Sequence, residues 1–170
     1  MQTIAETGRA YLAGNNANIP NAADSASVTF SKIYDNPVVI AYIPSDADGQ
    51  DVDVRVANLK GSGCDLFVLE PDREGHNDEE VIYLVAEQGV YETPDGVKIE
   101  VGSHVTEYSV DDGESVAGDR VDFVHGWSST PVLFATPNTH NNEDWATSGL
   151  DSVDSTGFNV GQQRGGATST

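Results

Sequence analysis

Cysteine, lysine and long apolar runs are all scarce in this chain. The single cysteine, Cys64, excludes a disulfide within the chain. There are three lysines, Lys32, Lys60 and Lys98, and 8 basic residues in all against 28 acidic ones, for a net charge of −20. Nucleic acid is therefore not an expected partner, because phosphates would meet charge of their own sign. No apolar stretch has the length of a membrane-spanning helix, so membrane insertion is not expected. The opening Met1-Gln-Thr-Ile-Ala-Glu6 has no basic start followed by an apolar run and does not read as a secretory signal.

Familiar catalytic patterns are missing too. The four histidines, His76, His104, His125 and His140, form neither His-x-His nor His-Glu-x-x-His, so no zinc site is expected. No serine sits in a Gly-x-Ser-x-Gly elbow, and Gly165-Gly166 has no Lys-Ser/Thr continuation. Carboxylate pairs such as Glu79-Glu80 and Asp111-Asp112 abound, but nothing raises one above the others for acid–base work. An enzyme is not expected.

The acids are interleaved with Val, Ile, Leu and Phe rather than gathered in a tail, so the chain reads as folded. A folded domain this acidic repels itself in dilute salt, and high salt relieves the repulsion. The expectation is a protein of a strongly saline setting, from a halophile or from something that infects one. An ordinary acidic secreted protein is the plainer reading of the same numbers.

The chain also repeats itself. Glu6-Thr7-Gly8 falls on Glu100-Val101-Gly102, an offset of 94 residues. At the same offset Pro37–Ala41 falls on Pro131–Ala135 and Gly63–Leu66 on Gly157–Val160, while Val28-Thr29-Phe30 meets Val121-Asp122-Phe123 after one gap. A fixed internal period marks a structural unit used more than once. The expected division is a first module over 1–93 and a second over 97–170, with Thr93-Pro94-Asp95-Gly96 as the boundary. The run Val81–Glu87 of the first copy finds no counterpart before Thr170, so the second module is expected to lack a strand.

Period-two alternation dominates. In Asp51-Val-Asp-Val-Arg-Val56, the valines point one way and Asp51, Asp53 and Arg55 the other, toward solvent. Turn residues separate such runs, and no stretch shows a helical stripe. The expected class is all-β, as tandem antiparallel sandwiches. Strands are expected near 8–12, 28–34, 37–44, 51–59, 64–70 and 81–87, then near 103–110, 120–124, 131–137, 145–150 and 158–163. Cys64 falls on Phe158, and a position that takes either is expected to be core.

Val28-x-Phe30, a Pro37-led apolar strand, the alternating strand, a Gly before the next strand, and His76-Asn-Asp-Glu-Glu-Val-Ile-Tyr-Leu-Val-Ala86-Glu-Gln-Gly89 together resemble the H-type lectin domain and its microbial relatives. The resemblance covers most of 6–89 and, less completely, 100–163. It implies a six-stranded jelly-roll-like sandwich, frequent trimers, and sugar binding near subunit contacts.

The candidate sites are few. Arg73 and His76, in the loop before the last strand of the first copy, and Trp145 are the candidate ligand-binding residues, with Trp127 as another ring that could stack on a sugar. Asp46, Asp48, Asp51 and Asp53 gather four carboxylates around Gly49, a candidate calcium site, although the spacing is not that of an EF-hand. Phe158 and Val160 are candidate oligomer-contact residues, because an incomplete sandwich leaves an edge for a neighbour.

The function expected from these features is a virion structural or surface protein: a capsid decoration, turret, spike or tail component of a virus of a halophilic host. Its partners would be copies of itself, other virion proteins and, in attachment, host surface glycans. The rival reading is a carbohydrate-binding lectin of a halophilic microbe. A glycoside-processing enzyme is a weaker third.

Overall fold

The computed structural model describes residues 4–13, 25–44, 52–69, 77–111, 118–139 and 146–164. Strands are the only regular elements among them. They are β1 (Ala5–Leu12), β2 (Ala26–Thr29), β3 (Pro37–Tyr42), β4 (Asp53–Lys60), β5 (Gly63–Leu69), β6 (Glu79–Glu87), β7 (Gly89–Glu92), β8 (Lys98–Val101), β9 (Ser109–Asp111), β10 (Asp119–Asp122), β11 (Ala146–Asp151) and β12 (Gly157–Arg164). The chain is all-β, as the alternation requires.

The first six strands make two antiparallel sheets, β1-β6-β3 and β2-β5-β4. Their inward residues share one core. Leu12 of β1, Val39 and Ala41 of β3 and Val81, Tyr83 and Val85 of β6 meet Val54, Val56, Cys64, Leu66 and Val68 of the other sheet. Burying a side chain of this size contributes about 1.5–3 kcal/mol, so this strip is the main source of stability in the first copy. Cys64 lies in it as a small hydrophobe and stands opposite Val28.

The repeat seen in the sequence recurs in space. Sheet β10-β12-β11 reproduces β2-β5-β4 pair for pair. Val28 opposite Cys64 becomes Val121 opposite Phe158, and Val56 opposite Leu66 becomes Leu150 opposite Val160. Phe30 N–H donates to Ser62 C=O at 2.9 Å, and Phe123 N–H to Thr156 C=O at 2.8 Å. The edge-to-face pair Phe30–Tyr34, with ring centroids 5.6 Å apart, becomes Phe123–Trp127 at 6.2 Å. Ser31 N–H donates to Glu6 Oε1 at 2.8 Å, and Val124 N–H to Glu100 Oε1 at 2.8 Å.

Two expectations need correction, on strands of the second copy and on the exposure of Asp53 and Arg55. The strands expected near 103–110 and 131–137 are not there as ladders: only Ser109–Asp111 is a strand, pairing parallel with β12, and 131–139 forms none. In the first copy, β1 and β3 both pair with β6. The counterpart of β1 pairs only over Lys98–Val101, with β7, and that of β3 has no ladder among the described residues.

Thr93-Pro94-Asp95-Gly96, expected as a boundary, is the turn of the β7–β8 hairpin. Thr93 N–H donates to Val97 C=O and Gly96 N–H to Thr93 C=O, each at 2.9 Å. Gly96 has φ +86°, a left-handed backbone that glycine takes without steric cost.

Asp53 and Arg55 were expected to face solvent. They do lie on the face of β4 opposite Val54 and Val56, but that face is covered: Arg55 is 3% exposed, and Phe67 and Leu69 are each 1% exposed. The second copy supplies part of the cover, since Thr147 lies close enough to Asp53 to lower its pKa. Alternation tells which side of a strand a residue takes, not whether another layer lies over that side.

The two copies also meet at strand edges. Asn138 spans both backbone groups of Val39, while Thr136 Oγ1 lies 3.2 Å from Ala41 N and 3.3 Å from Ala41 O. Val56 N–H reaches Pro137 C=O at 3.4 Å. Residues 136–138 thus line the free edge of β3 and touch β4.

Candidate functional site

The second copy differs from the first at one strand edge, which has no backbone partner among the described residues. Ile4 C=O accepts the Glu87 N–H at 3.0 Å, which fixes the side of β1 that faces β6. Backbone groups alternate sides along a strand, so Ile4, Glu6 and Gly8 point to β6. Their equivalents are Lys98, Glu100 and Gly102. In the β7–β8 hairpin, Val97 C=O accepts from Thr93, so Val97, Ile99 and Val101 point to β7. Strand β7 therefore occupies the edge opposite to the one that β6 takes on β1. The edge carrying Lys98, Glu100 and Gly102 has no backbone partner among the described residues.

The other wall is the counterpart of β3. Residues 131–135 make no ladder, and Val132 is 82% and Phe134 72% exposed. Leu133 is only half-buried and Ala135 exposed, where Val39 and Ala41 are buried. His104, at the position of buried Ala10, is exposed and lies 3.5 Å from Asp119. Leu133, Ala135 and His104 are thus less covered than Val39, Ala41 and Ala10 of the first copy.

The glycines record the same vacancy. A methyl group at Gly8 would overlap the ring of Tyr83, its partner across the β1–β6 ladder. A methyl at Gly102 would meet nothing within 4 Å. The glycine recurs where the aromatic ring that requires it in the first copy is absent.

The second copy has its own aromatic floor. Phe123 lies 5.5 Å from Phe158 and in edge contact with Trp127, which His125 meets at 4.8 Å. The Trp127 indole N–H is buried without an acceptor. Trp127 therefore packs against Phe123 and His125, whereas the sequence suggested a ring that could stack on a sugar. Glu100 receives N–H groups from Val124 and His125, at 2.8 and 2.9 Å, and ties the β8 edge to this cluster.

The expected site residues distribute unevenly. Arg73, His76 and Trp145 lie outside the described residues, as do Asp46, Asp48 and Asp51. Asp53 is described. Its Oδ1 accepts the Val54 N–H at 2.9 Å, while Oδ2 and the neighbouring Arg55 Nε are buried without hydrogen-bond partners. Burial raises the Asp53 pKa against the opposing pull of Arg55 and lowers that of Arg55 against the pull of Asp53. Among the described residues no three metal-ligating side chains converge.

Phe158 and Val160 were expected beside an open edge. Instead β12 is paired on both sides, by β11 on one and by β10 and β9 on the other. Phe158 and Val160 therefore stand on a strand whose backbone is paired within the chain. Among the described residues β8 pairs only with β7.

A separate shallow cleft is lined by Ile4, Lys32, Ile33, Asp35, Asn36, Glu87 and Tyr91. Both Glu87 oxygens are engaged there, by the N–H groups of Asp35 at 2.9 Å and Asn36 at 2.6 Å. The Lys32 ammonium lies 4.4 Å from the Tyr34 ring centre. The cleft's polar groups serve its own walls.

Comparison with protein-family models, with curated proteins and with solved structures finds no match to this chain.

Proposed function

We propose that this chain is a non-enzymatic structural protein of a virion surface, a decoration, turret, spike or tail component of a virus with a halophilic host. It would assemble with copies of itself, as trimers, and with other particle proteins. The observation that carries the reading is the β8 edge of the second copy, which has no backbone partner among the described residues. With the exposed Val132 and Phe134, it suits a protein that assembles better than one acting alone in solution.

The net charge of −20 supports the saline setting. Nucleic acid has no place in this account, and attachment to host glycans would be a further property of the assembled particle.

Fractionation of virus particles from a halophilic culture encoding the chain tests the proposal. The chain is expected to co-purify with intact particles and to be cut by protease added outside them. Its recovery only in the particle-free fraction would contradict the proposal and favour a soluble lectin.

A further inference from the structure

We propose that the outer face of sheet β1-β6-β3 is a self-association surface, on which a second molecule of this chain packs face to face about a two-fold axis. The surface belongs to the first copy alone, and the inference does not depend on the particle reading above.

Alternation sets the face. Val81, Tyr83 and Val85 of β6, Val39 and Ala41 of β3 and Leu12 of β1 point into the core, so their neighbours along each strand point out. The ladders align those outward residues in rows. Arg9, Ile82 and Tyr42 form one row, and Thr7, Leu84 and Ile40 the next, while Glu80 stands opposite Tyr11. Tyr11 is 75%, Tyr42 56% and Leu84 39% exposed, and Ile40 and Ile82 are half-buried. The solvated face of an antiparallel sheet is ordinarily polar. This one is aliphatic at its centre.

The other sheet gives the contrast. Its outer face carries Asp53, Arg55 and Asp65 beside Phe67 and Leu69, and the second copy covers part of it. The more apolar of the two outer faces is the one left open.

Charge selects the occupant. The chain carries a net −20, yet the charged residues of these rows are Arg9 and Glu80, which cancel. Arg9 Nη1 donates to Glu80 Oε1 at 2.8 Å. A basic partner is drawn to the acidic remainder of the surface, not to a neutral apolar face. A second molecule meets this face without setting acid against acid. The face is also its own complement. Under a two-fold axis passing between Arg9 and Glu80, Arg9 of each molecule faces the partner's Glu80.

Area sets the strength. At ordinary sheet spacings the face measures roughly 14 Å by 23 Å. That is less than the roughly 800 Å² each partner gives to a stable complex, so the dimer forms only at high concentration or where many copies are held together. Such a contact joins molecules two by two, and would link trimers without building one.

Sedimentation equilibrium of the full chain in molar salt, from micromolar to millimolar concentration, tests the proposal. Concentration-dependent dimers are expected, weaker by about tenfold or more in tens of millimolar salt, where chains of this charge repel. Arg9→Glu brings two carboxylates from each molecule together, and Glu80→Arg two guanidinium groups. Each alone is expected to weaken the dimer by about tenfold or more, and an equal mixture of the two variants to restore it. Both side chains lie outside the core, so the variants keep the fold. Tyr42→Ser is expected to weaken the dimer likewise and to leave the melting temperature in place, since the ring is exposed.

A chain that stays monomeric at millimolar concentration in molar salt would overturn the proposal and leave the face to a different partner. Self-association that neither Arg9→Glu nor Tyr42→Ser weakens would overturn it by placing the contact elsewhere. A mixture of the two charge variants that stays monomeric would remove the two-fold arrangement. The chain's recovery in particles is read separately, by fractionation.

Discussion

The side-chain amide of Asn138 pairs with both backbone groups of Val39: Val39 N–H donates to Asn138 Oδ1 at 2.9 Å, and Asn138 Nδ2 donates to Val39 C=O at 2.7 Å. One side chain takes the part that a strand's peptide would play. It lets the second copy guard the edge of the first, and an unguarded edge invites aggregation. Asn138→Ala leaves both Val39 groups unsatisfied at a half-buried site and is expected to cost about 1–3 kcal/mol. Urea denaturation measures this, and an unchanged midpoint would contradict the pairing.

Gly8 and Gly102 occupy equivalent places with opposite surroundings. Gly8→Ala forces the Tyr83 ring to move and is expected to destabilise by about 1–3 kcal/mol through overpacking. Gly102→Ala meets nothing and is expected to change stability by no more than about 0.5 kcal/mol in the isolated chain. Melting the two variants side by side reads the difference directly. Equal losses would mean that the two glycines have equivalent surroundings.

Cys64 is buried, and burial first, with the Asp65 charge second, pushes its thiol up to about 12. An unfolded cysteine titrates near about 8.5. The folded state therefore favours the protonated thiol. The stabilisation is full below the unfolded value and is lost as pH rises from there toward the folded one. Stability of the wild type is expected to fall between about pH 9 and 11 more steeply than that of Cys64→Ala. Native labelling by a thiol reagent at neutral pH is expected to be slow, and fast labelling would contradict the burial.

With a net charge of −20, the melting temperature is expected to rise as salt increases from tens of millimolar to molar, because screening relieves self-repulsion. A melting temperature independent of salt would remove the case for a saline setting. Calcium has a separate signature if the Asp46–Asp53 carboxylates hold it. A shift at low calcium, absent in Asp48→Ala and not produced by magnesium, would mark that site.

Much of the fold was legible because it rests on short-range pattern. Val54 and Val56 alternate and are core; Cys64 aligns with Phe158, and both hold the same register place opposite Val28 and Val121. What escaped depends on partners distant in sequence. Arg55 reads as outward, and it is, but the second layer over it cannot be seen in a strand's own alternation. The β7–β8 hairpin has a signal in Val90-Tyr91 and Val97-Lys98-Ile99 on either side of the turn at Pro94-Asp95-Gly96.

Gly102 matches Gly8 in the sequence, yet only the ring of Tyr83 over Gly8 shows what the glycine is for. Likewise, Pro131–Ala135 looks as strand-like as Pro37–Ala41. It forms no ladder because a strand is defined by its neighbour as well as by its own residues.

Amide hydrogen exchange, read residue by residue on the isolated chain in molar salt, tests the open edge most directly. Gly8, Val38 and Ile40, held against β6, are expected to exchange slowly, at rates set by unfolding of the first copy. Gly102, Val132 and Phe134 are expected to exchange orders of magnitude faster. Equally slow exchange at both sets in a monomer would contradict the account, because the second sheet would then be closed by its own chain.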